Sequence, residues 1–314
     1  MLMEAPLDEI IDVEVRSFIE SLRDFKHLIS AIDDNVATTL NSFVTNNEWH
    51  IFIPNHLLSV EYSMESIEFC TCNFHFADAG TLLRKVRDDL LQFLMLYAMV
   101  IDIKHKALSP SYEKKMDISA RLEAVAKNSL GVQKKDGTQN SYAEIIDAWY
   151  GGSNNRNFKE IMQNNFGIER YKRFLVKYPQ ITEMIEHCWG SVEEFTSSLR
   201  QNDVELNNIV HLNGREYVNI NITYAKQVQI LPHLKAALTQ ISIVFISFLL
   251  VIDSSLVRSP DYIFALEENC IPEENSQYWI LNGVQSFIDN VIVPFNPKIK
   301  KYLQEHNSHS MLIE

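Results

Sequence analysis

The sequence predicts an α+β fold that is predominantly helical and made of two tandem duplicated lobes. Each lobe is expected to hold a long helix, a small antiparallel β-hairpin or sheet, and a buried apolar helix. Three observations predict this. First, Val100-Ile101-Asp102 followed by Ser109-Pro110-Ser111-Tyr112 returns as Val251-Ile252-Asp253 followed by Ser259-Pro260-Asp261-Tyr262. Each copy follows a strongly apolar run, Leu90 to Met99 and Ile241 to Leu250, and a long-period recurrence marks a repeated structural unit. Second, the 314 residues include only 9 glycines and 9 prolines, a poverty that favours long helices over a turn-rich β architecture. Third, β-branched and aromatic clusters bounded by turn residues sit between the first and second helices of each copy, the signature of short strands.

The first helix is read from Ile11, Val15, Phe18, Leu22, Phe25, Ile29, Ile32, Val36, Leu40 and Phe43. Steps of three and four place these residues on one helical face. Neither Gly nor Pro interrupts from Leu7 to Ile53, and Asp8, Glu9, Asp12 and Glu14 near the start complement the helix dipole. Such a stripe serves either the core of its own lobe or a coiled-coil seam between chains. Phe25, Ile29, Val36 and Phe43 align at a constant offset with Ile181, Ile185, Val192 and Leu199, which extends the repeat upstream. Strands are predicted at Trp49–Ile53, Leu57–Tyr62 and Ser66–Phe74, and in the second copy at Val204–Leu212 and Glu216–Ile222 around Asn213-Gly214. Asn-Gly is a strong hairpin signal.

The central helices follow, at about 79–105 and 224–256, with Pro232 expected either to kink the second or to mark its true start. Pro110 and Pro260 end the helical stretches, since a residue before proline avoids the helical region. Further helices are expected at about 117–127, 143–149, 158–165, 169–178, 277–291 and 297–305, then a short frayed tail. The domain reading is a first lobe at 1–178, with an extra helical insertion at about 113–165, and a second lobe at 179–314.

The net charge of −13 argues against general affinity for nucleic acid, whose phosphates need a basic face. Four cysteines in a chain of this length form no disulfide framework and point to a reducing, cytoplasmic setting. The start, Met1-Leu2-Met3-Glu4-Ala5-Pro6, lacks the basic and apolar regions of a signal peptide. Ala236 to Ile252 is apolar almost throughout, near the lower length limit for a bilayer span. Its repeat partner begins Arg84-Lys85-Val86-Arg87-Asp88-Asp89. Both are therefore read as buried central helices, with no membrane association.

No motif identifies a chemistry. The candidate functional acids are Asp102 and Asp253, each at the end of an apolar helix where the dipole disfavours a carboxylate. Each should find a hydroxyl or backbone donor in the following turn, such as Ser109 or Tyr112 and their equivalents; paired across a cleft, the two acids could serve as acid and base or hold a divalent cation. Gly151, Gly152 and Arg156 form a candidate anion loop, without the Lys-Ser/Thr ending of a nucleotide-binding loop. Arg170, Lys172 and Arg173, with Lys298, Lys300 and Lys301, are candidate nucleic-acid contacts interleaved with aromatic residues. Cys70, Cys72 and His75 are too few and too closely spaced for zinc, so no metal and no cofactor are expected.

The function expected from the sequence is that of a non-catalytic interaction or assembly component. It would engage a protein partner or a second copy of itself through a helical interface. One alternative is a protein that binds or processes nucleic acid, of the kind used in bacterial defence. Another is a small-molecule sensor with its pocket between the lobes.

Overall fold

The computed structural model describes residues 7–41, 52–109, 117–131, 139–149, 158–211, 224–259 and 279–314. Within them every regular element is helical. The first half contains α1 (Leu7–Asn41), α2 (Phe52–Cys72), α3 (Phe76–Leu108), α4 (Ile118–Asn128), α5 (Tyr142–Trp149), α6 (Phe158–Asn165) and α7 (Ile168–Leu175). Then come α8 (Pro179–Trp189), α9 (Val192–His211) and α10 (Tyr224–Asp253), which ends in a 3-10 turn (Ser254–Val257). The chain closes with α11 (Asn282–Phe287), a π-helical turn (Ile288–Ile292), a last short turn (Val293–Phe295) and α12 (Pro297–His306).

The strand expectation, and with it the α+β class, is overturned. Among the described residues there is no β-strand, only isolated bridges such as Leu130 with Ser141 and Arg258 with Ile280. The stretch read as two strands from Leu57 to Phe74 is α2 and the turn after it. The physical reason lies in the period. Leu57, Val60, Met64, Ile67 and Thr71 are buried, and their alternating steps of three and four describe a helical face, not a pleat. The aromatic residues that suggested strands, Tyr62 and Phe69, lie on the exposed side. Asn73 and His75 N–H both return to the Cys70 carbonyl and close the turn into α3. In the second half, 204–211 continue α9; the Asn213-Gly214 hairpin and its return strand lie outside the described residues.

The two apolar runs become the spine of the molecule. Every residue from Leu90 to Ile101 on α3 and from Ile241 to Asp253 on α10 is buried, and the two helices pack on each other. Such all-round burial explains why neither shows the one-sided polarity of a surface helix. Pro232 lies inside α10 near its start. α2 lies against α1 and α3, α9 against both central helices, and α4 and α7 against α3. Aromatic contacts cross the middle: Phe93 stacks on Tyr97 at 5.7 Å, Phe245 lies 6.0 Å from Phe93, and Phe25 sits edge-on to Phe245 at 6.3 Å. Buried apolar residues from both halves of the sequence join one cluster.

The α1 stripe faces this core. Phe18, Ile29, Ile32 and Val36 are shut off from solvent, as are Leu22 and Phe25; Leu40 and Phe43 lie outside the described side chains. Asn35 secures α1 to the end of α10, its amide donating to the carbonyls of Leu256 (3.0 Å) and Arg258 (3.3 Å). The chain end is docked, where a frayed tail was expected. Ser308 N–H donates to Leu250 O, and Asn307 bonds both Leu303 and Met311.

Among the described residues, one helix, Gln229–Val257, is long and apolar enough to cross a membrane, and 78% of its most apolar window is buried inside the protein.

Candidate functional site

Asp253 ends α10 and at the same time caps the 3-10 turn. Its carboxylate accepts from Ser255 N–H (3.0 Å) and Ser255 Oγ (2.6 Å). The poor position at a helix C-terminus is thus converted into a good one at the start of the next turn. The donor is Ser255, nearer along the chain than the Ser259 and Tyr262 positions that the sequence suggested. Two further groups arrive from distant segments. Tyr97 Oη of α3 donates at 2.6 Å, and His309 Nε2 from the C-terminal tail lies at 2.8 Å. Asp253 is buried, and burial alone would raise its pKa. The hydrogen bonds from His309, Ser255 and Tyr97 outweigh that and hold it at about 2. The Tyr97 hydroxyl is pushed well above the ordinary tyrosine value by burial and by the Asp253 carboxylate.

Asp102 ends differently. It is half-buried near the last turn of α3, and Lys106 one turn on donates to its Oδ2 at 2.6 Å. This is an i,i+4 pair of the common helical kind. Tyr142 of α5 lines the same cavity. The Tyr142 hydroxyl is raised by burial and by Asp102. Tyr178, in the turn between α7 and α8, is raised by burial and then by both Asp102 and Asp253. Tyr178 therefore stands in the field of the two repeated acids. They occupy one region of the fold but share no direct hydrogen bond.

Beside Asp102 lies a cavity of about 360 Å³, within the usual range for small-molecule sites. It opens between α3, α5 and α7. Among the described residues that line it, Asp102, Lys106 and Lys177 are charged, and Tyr142, Phe174 and Tyr178 supply aromatic walls. The Tyr142 and Phe174 rings meet edge to face at 6.0 Å, and Lys106 Nζ lies 6.0 Å from the Tyr142 ring centroid. α5 is held in place at its start by a reciprocal cap: Glu144 accepts from Ser141 N–H at 2.8 Å while Ser141 Oγ accepts from Glu144 N–H at 3.3 Å. Just before it, Gly131 N–H donates to Asn140 O. A Cβ at Gly131 would meet Ile145 Cδ1 at 2.5 Å, so a side chain there would require Ile145 to move.

The basic candidates disperse. Lys172 and Arg87 converge on Asp203: Arg87 Nη1 reaches it at 2.6 Å, Arg87 also forks onto Asp88, and Lys172 holds the other Asp203 oxygen. This cluster ties α3, α7 and α9 together. Beneath it is an apolar cleft of about 30 Å³, room for little more than a water molecule. Arg170 donates to Asn164 O, and Lys300 pairs with Asp289. Arg173, Lys298 and Lys301 are exposed. Gly151, Gly152 and Arg156 lie outside the described residues. Cys70 and Cys72 fall at the end of α2 and not on a strand. Two positions apart on a helix, they point to nearly opposite sides, and Cys72 is exposed. Among the described residues no group of three or more His, Cys, Asp or Glu side chains is placed to hold a metal ion.

Sequence reasoning reaches the two acids but misses Tyr97, Tyr142, Tyr178 and His309. Only the Asp102–Lys106 spacing and the Ser141-x-x-Glu144 cap carry a local signal. The others meet the acids across long sequence separations.

No family model matches the chain, and comparison with curated proteins and with solved structures yields no match.

Proposed function

We propose that the protein is a non-catalytic binding protein whose small-molecule ligand occupies the cavity beside Asp102. The observation that carries this reading is the cavity itself. A volume of about 360 Å³, aromatic walls and a few converging polar groups is the usual composition of a ligand site. The Asp253 network supports a binding role over a catalytic one. Its carboxylate is taken up by three internal partners and serves to pin the C-terminal tail to α3 and α10. The test is a thermal-shift screen of a metabolite panel against the wild type and a Leu130→Trp variant. Leu130 is exposed at the cavity edge, so the larger ring fills the mouth without disturbing the core. A ligand that raises the wild-type melting temperature and fails on the variant supports the reading. No shift across the panel, or a shift that survives Leu130→Trp, counts against it.

A second reading, a helical protein interface, draws on a different surface. With the α1 stripe turned inward, α2 presents exposed apolar side chains instead. Leu58, Tyr62 and Phe69 fall at steps of four and seven along its outer face, and Phe69 is 68% exposed. Phe69→Ser should leave the fold intact; sedimentation of wild type and variant across a concentration series would reveal loss of self-association. Identical monomeric behaviour of both would remove a second copy as the partner.

A further inference from the structure

We infer that the ligand of the Asp102 cavity is a monoanion, a small carboxylate with an aromatic or other apolar body, held by Lys177 and Tyr178. This rests on the reading of the cavity as a ligand site. Several polar groups of the lining are already engaged within the protein. Asp102 and Lys106 hold each other at 2.6 Å, and Gln139 Nε2 donates to Gly131 O at 3.0 Å. Lys177 and Tyr178 differ. Among the described residues, neither Lys177 Nζ nor the Tyr178 hydroxyl has a hydrogen-bond or ion-pair partner.

A surface lysine without a partner is ordinary, since exposed ion pairs contribute little. A buried hydroxyl without one is not. Tyr178 is only 8% exposed and lines the cavity, so whatever fills the cavity supplies its partner. Burial, then the charges of Asp102 and Asp253, push the hydroxyl above the ordinary tyrosine value. It therefore keeps its proton at neutral pH and can donate it in a hydrogen bond. Lys177 offers only donors. Two donors, one of them charged, call for a ligand group with two acceptor oxygens and one negative charge. A carboxylate is that group.

The charge count agrees. Among the described lining residues, two ammonium groups stand against one carboxylate. A monoanion makes the numbers equal, which matters in a partly enclosed site where an uncompensated ion is costly. A zwitterion leaves the positive surplus in place, and a cation adds to it. A phosphate monoester, with about two negative charges, overshoots. Asp253, the other acid that acts on Tyr178, is taken up by Ser255, Tyr97 and His309. The walls set the body of the ligand. The edge-to-face pair Tyr142–Phe174 offers the packing that aromatic rings prefer, and Leu130 extends the apolar surface.

The experiment is isothermal titration of the full chain with 3-phenylpropionate, its neutral amide, phenethylamine and L-phenylalanine. All four keep the ring and change only the charge. The carboxylate should bind saturably and about tenfold or more tighter than each of the others, as expected when hydrogen bonds to a charged group are at stake. Lys177→Met and Tyr178→Phe should each weaken 3-phenylpropionate by about fivefold or more, and Lys177→Met should leave the amide unchanged. Without ligand, Tyr178→Phe should keep the wild-type melting temperature; a clear drop would place the hydroxyl in an internal bond and overturn the inference. So would 3-phenylpropionate binding that ignores both substitutions. Leu130→Trp should abolish binding. If the amide, the amine or the amino acid binds as tightly as the carboxylate and is lost on Leu130→Trp, the class is wrong while the ligand site stands. If 3-phenylpropionate does not bind, the class is wrong; the site stands where another metabolite binds in a Leu130→Trp-sensitive way and falls where none does. Binding of 3-phenylpropionate that survives Leu130→Trp overturns both.

Discussion

At the scale of single residues, Asp102 and Asp253, each preceded by Val-Ile, carry two different physical roles. Asp253 is an internal clamp. Its pKa lies at about 2 against an ordinary 3.8, so the carboxylate stabilises the fold at every pH above the ordinary value. The stabilisation is lost as pH falls through about 2. The shift corresponds to roughly 2 kcal/mol. Asp253→Asn should therefore lower stability by about 2 kcal/mol at neutral pH in urea unfolding, and the gap to wild type should shrink below about pH 4. An unchanged gap at low pH would mean that the loss comes from packing and not from charge. Asp33 runs the other way. Burial, then Glu61 and Asp34, raise it to about 7, and its Oδ1 is closed off from solvent with no hydrogen-bond partner. A raised carboxylate destabilises the fold as pH climbs from the ordinary value through the folded one. Because the side chain is only half-buried, solvent screening leaves about 1 kcal/mol or less. Asp33→Asn is expected to raise the melting temperature at pH 8 and to leave it unchanged at pH 4.

At the scale of elements, α1 and α2 separate what a local pattern reveals from what it hides. The α1 stripe is legible in the sequence because its period stays regular along the helix and no breaker intervenes. What it faces is not legible, since a core stripe and a dimer seam have the same spacing. Leu22 is 1% exposed. Leu22→Glu should therefore unfold the protein, at a cost of several kcal/mol, with helical circular dichroism lost. A folded variant with a smaller light-scattering mass would instead make the stripe an interface. In α2 residue type and period point in different directions: Tyr62 and Phe69 have strand-like propensity, but propensity yields to the burial pattern. Proline at the exposed Ser66 tests the helix. It should cost about 3 kcal/mol or more by removing an internal hydrogen bond; if stability stays within about 0.5 kcal/mol of wild type, α2 is not helical at that point.

At the scale of the whole molecule, the α3–α10 pair joins the two halves of the sequence. The boundary expected at 178/179 falls in the turn between α7 and α8, yet buried side chains from both sides share one cluster. Cooperative unfolding should follow. Trp149 in the first half and Trp189 in the second offer two local fluorescence reporters. Single-tryptophan variants carrying one or the other should unfold at coincident urea midpoints, as a two-state transition requires. Separate midpoints would show that the halves are independent folding units. Long-range closure of this kind also explains the site. Tyr97 reaches Asp253 across 156 positions, and His309 comes back to it across 56. No local pattern announces such partners.

The sequence by itself determined the helical richness, the position of the central apolar helices, the long first helix and the two acids at the helix ends. These depend on local period, breakers and composition, which act between near neighbours in the chain. The tertiary structure decided between the conflicting helix and strand signals in α2, and it alone decided that the α1 stripe looks inward. It also decided that Asp253 is a buried clamp while Asp102 edges a cavity. Those outcomes depend on which surfaces meet, because burial and desolvation act between groups far apart in sequence. An aspartate after the same Val-Ile pair becomes a buried structural anchor or a half-buried charge at a cavity edge according to what folds against it.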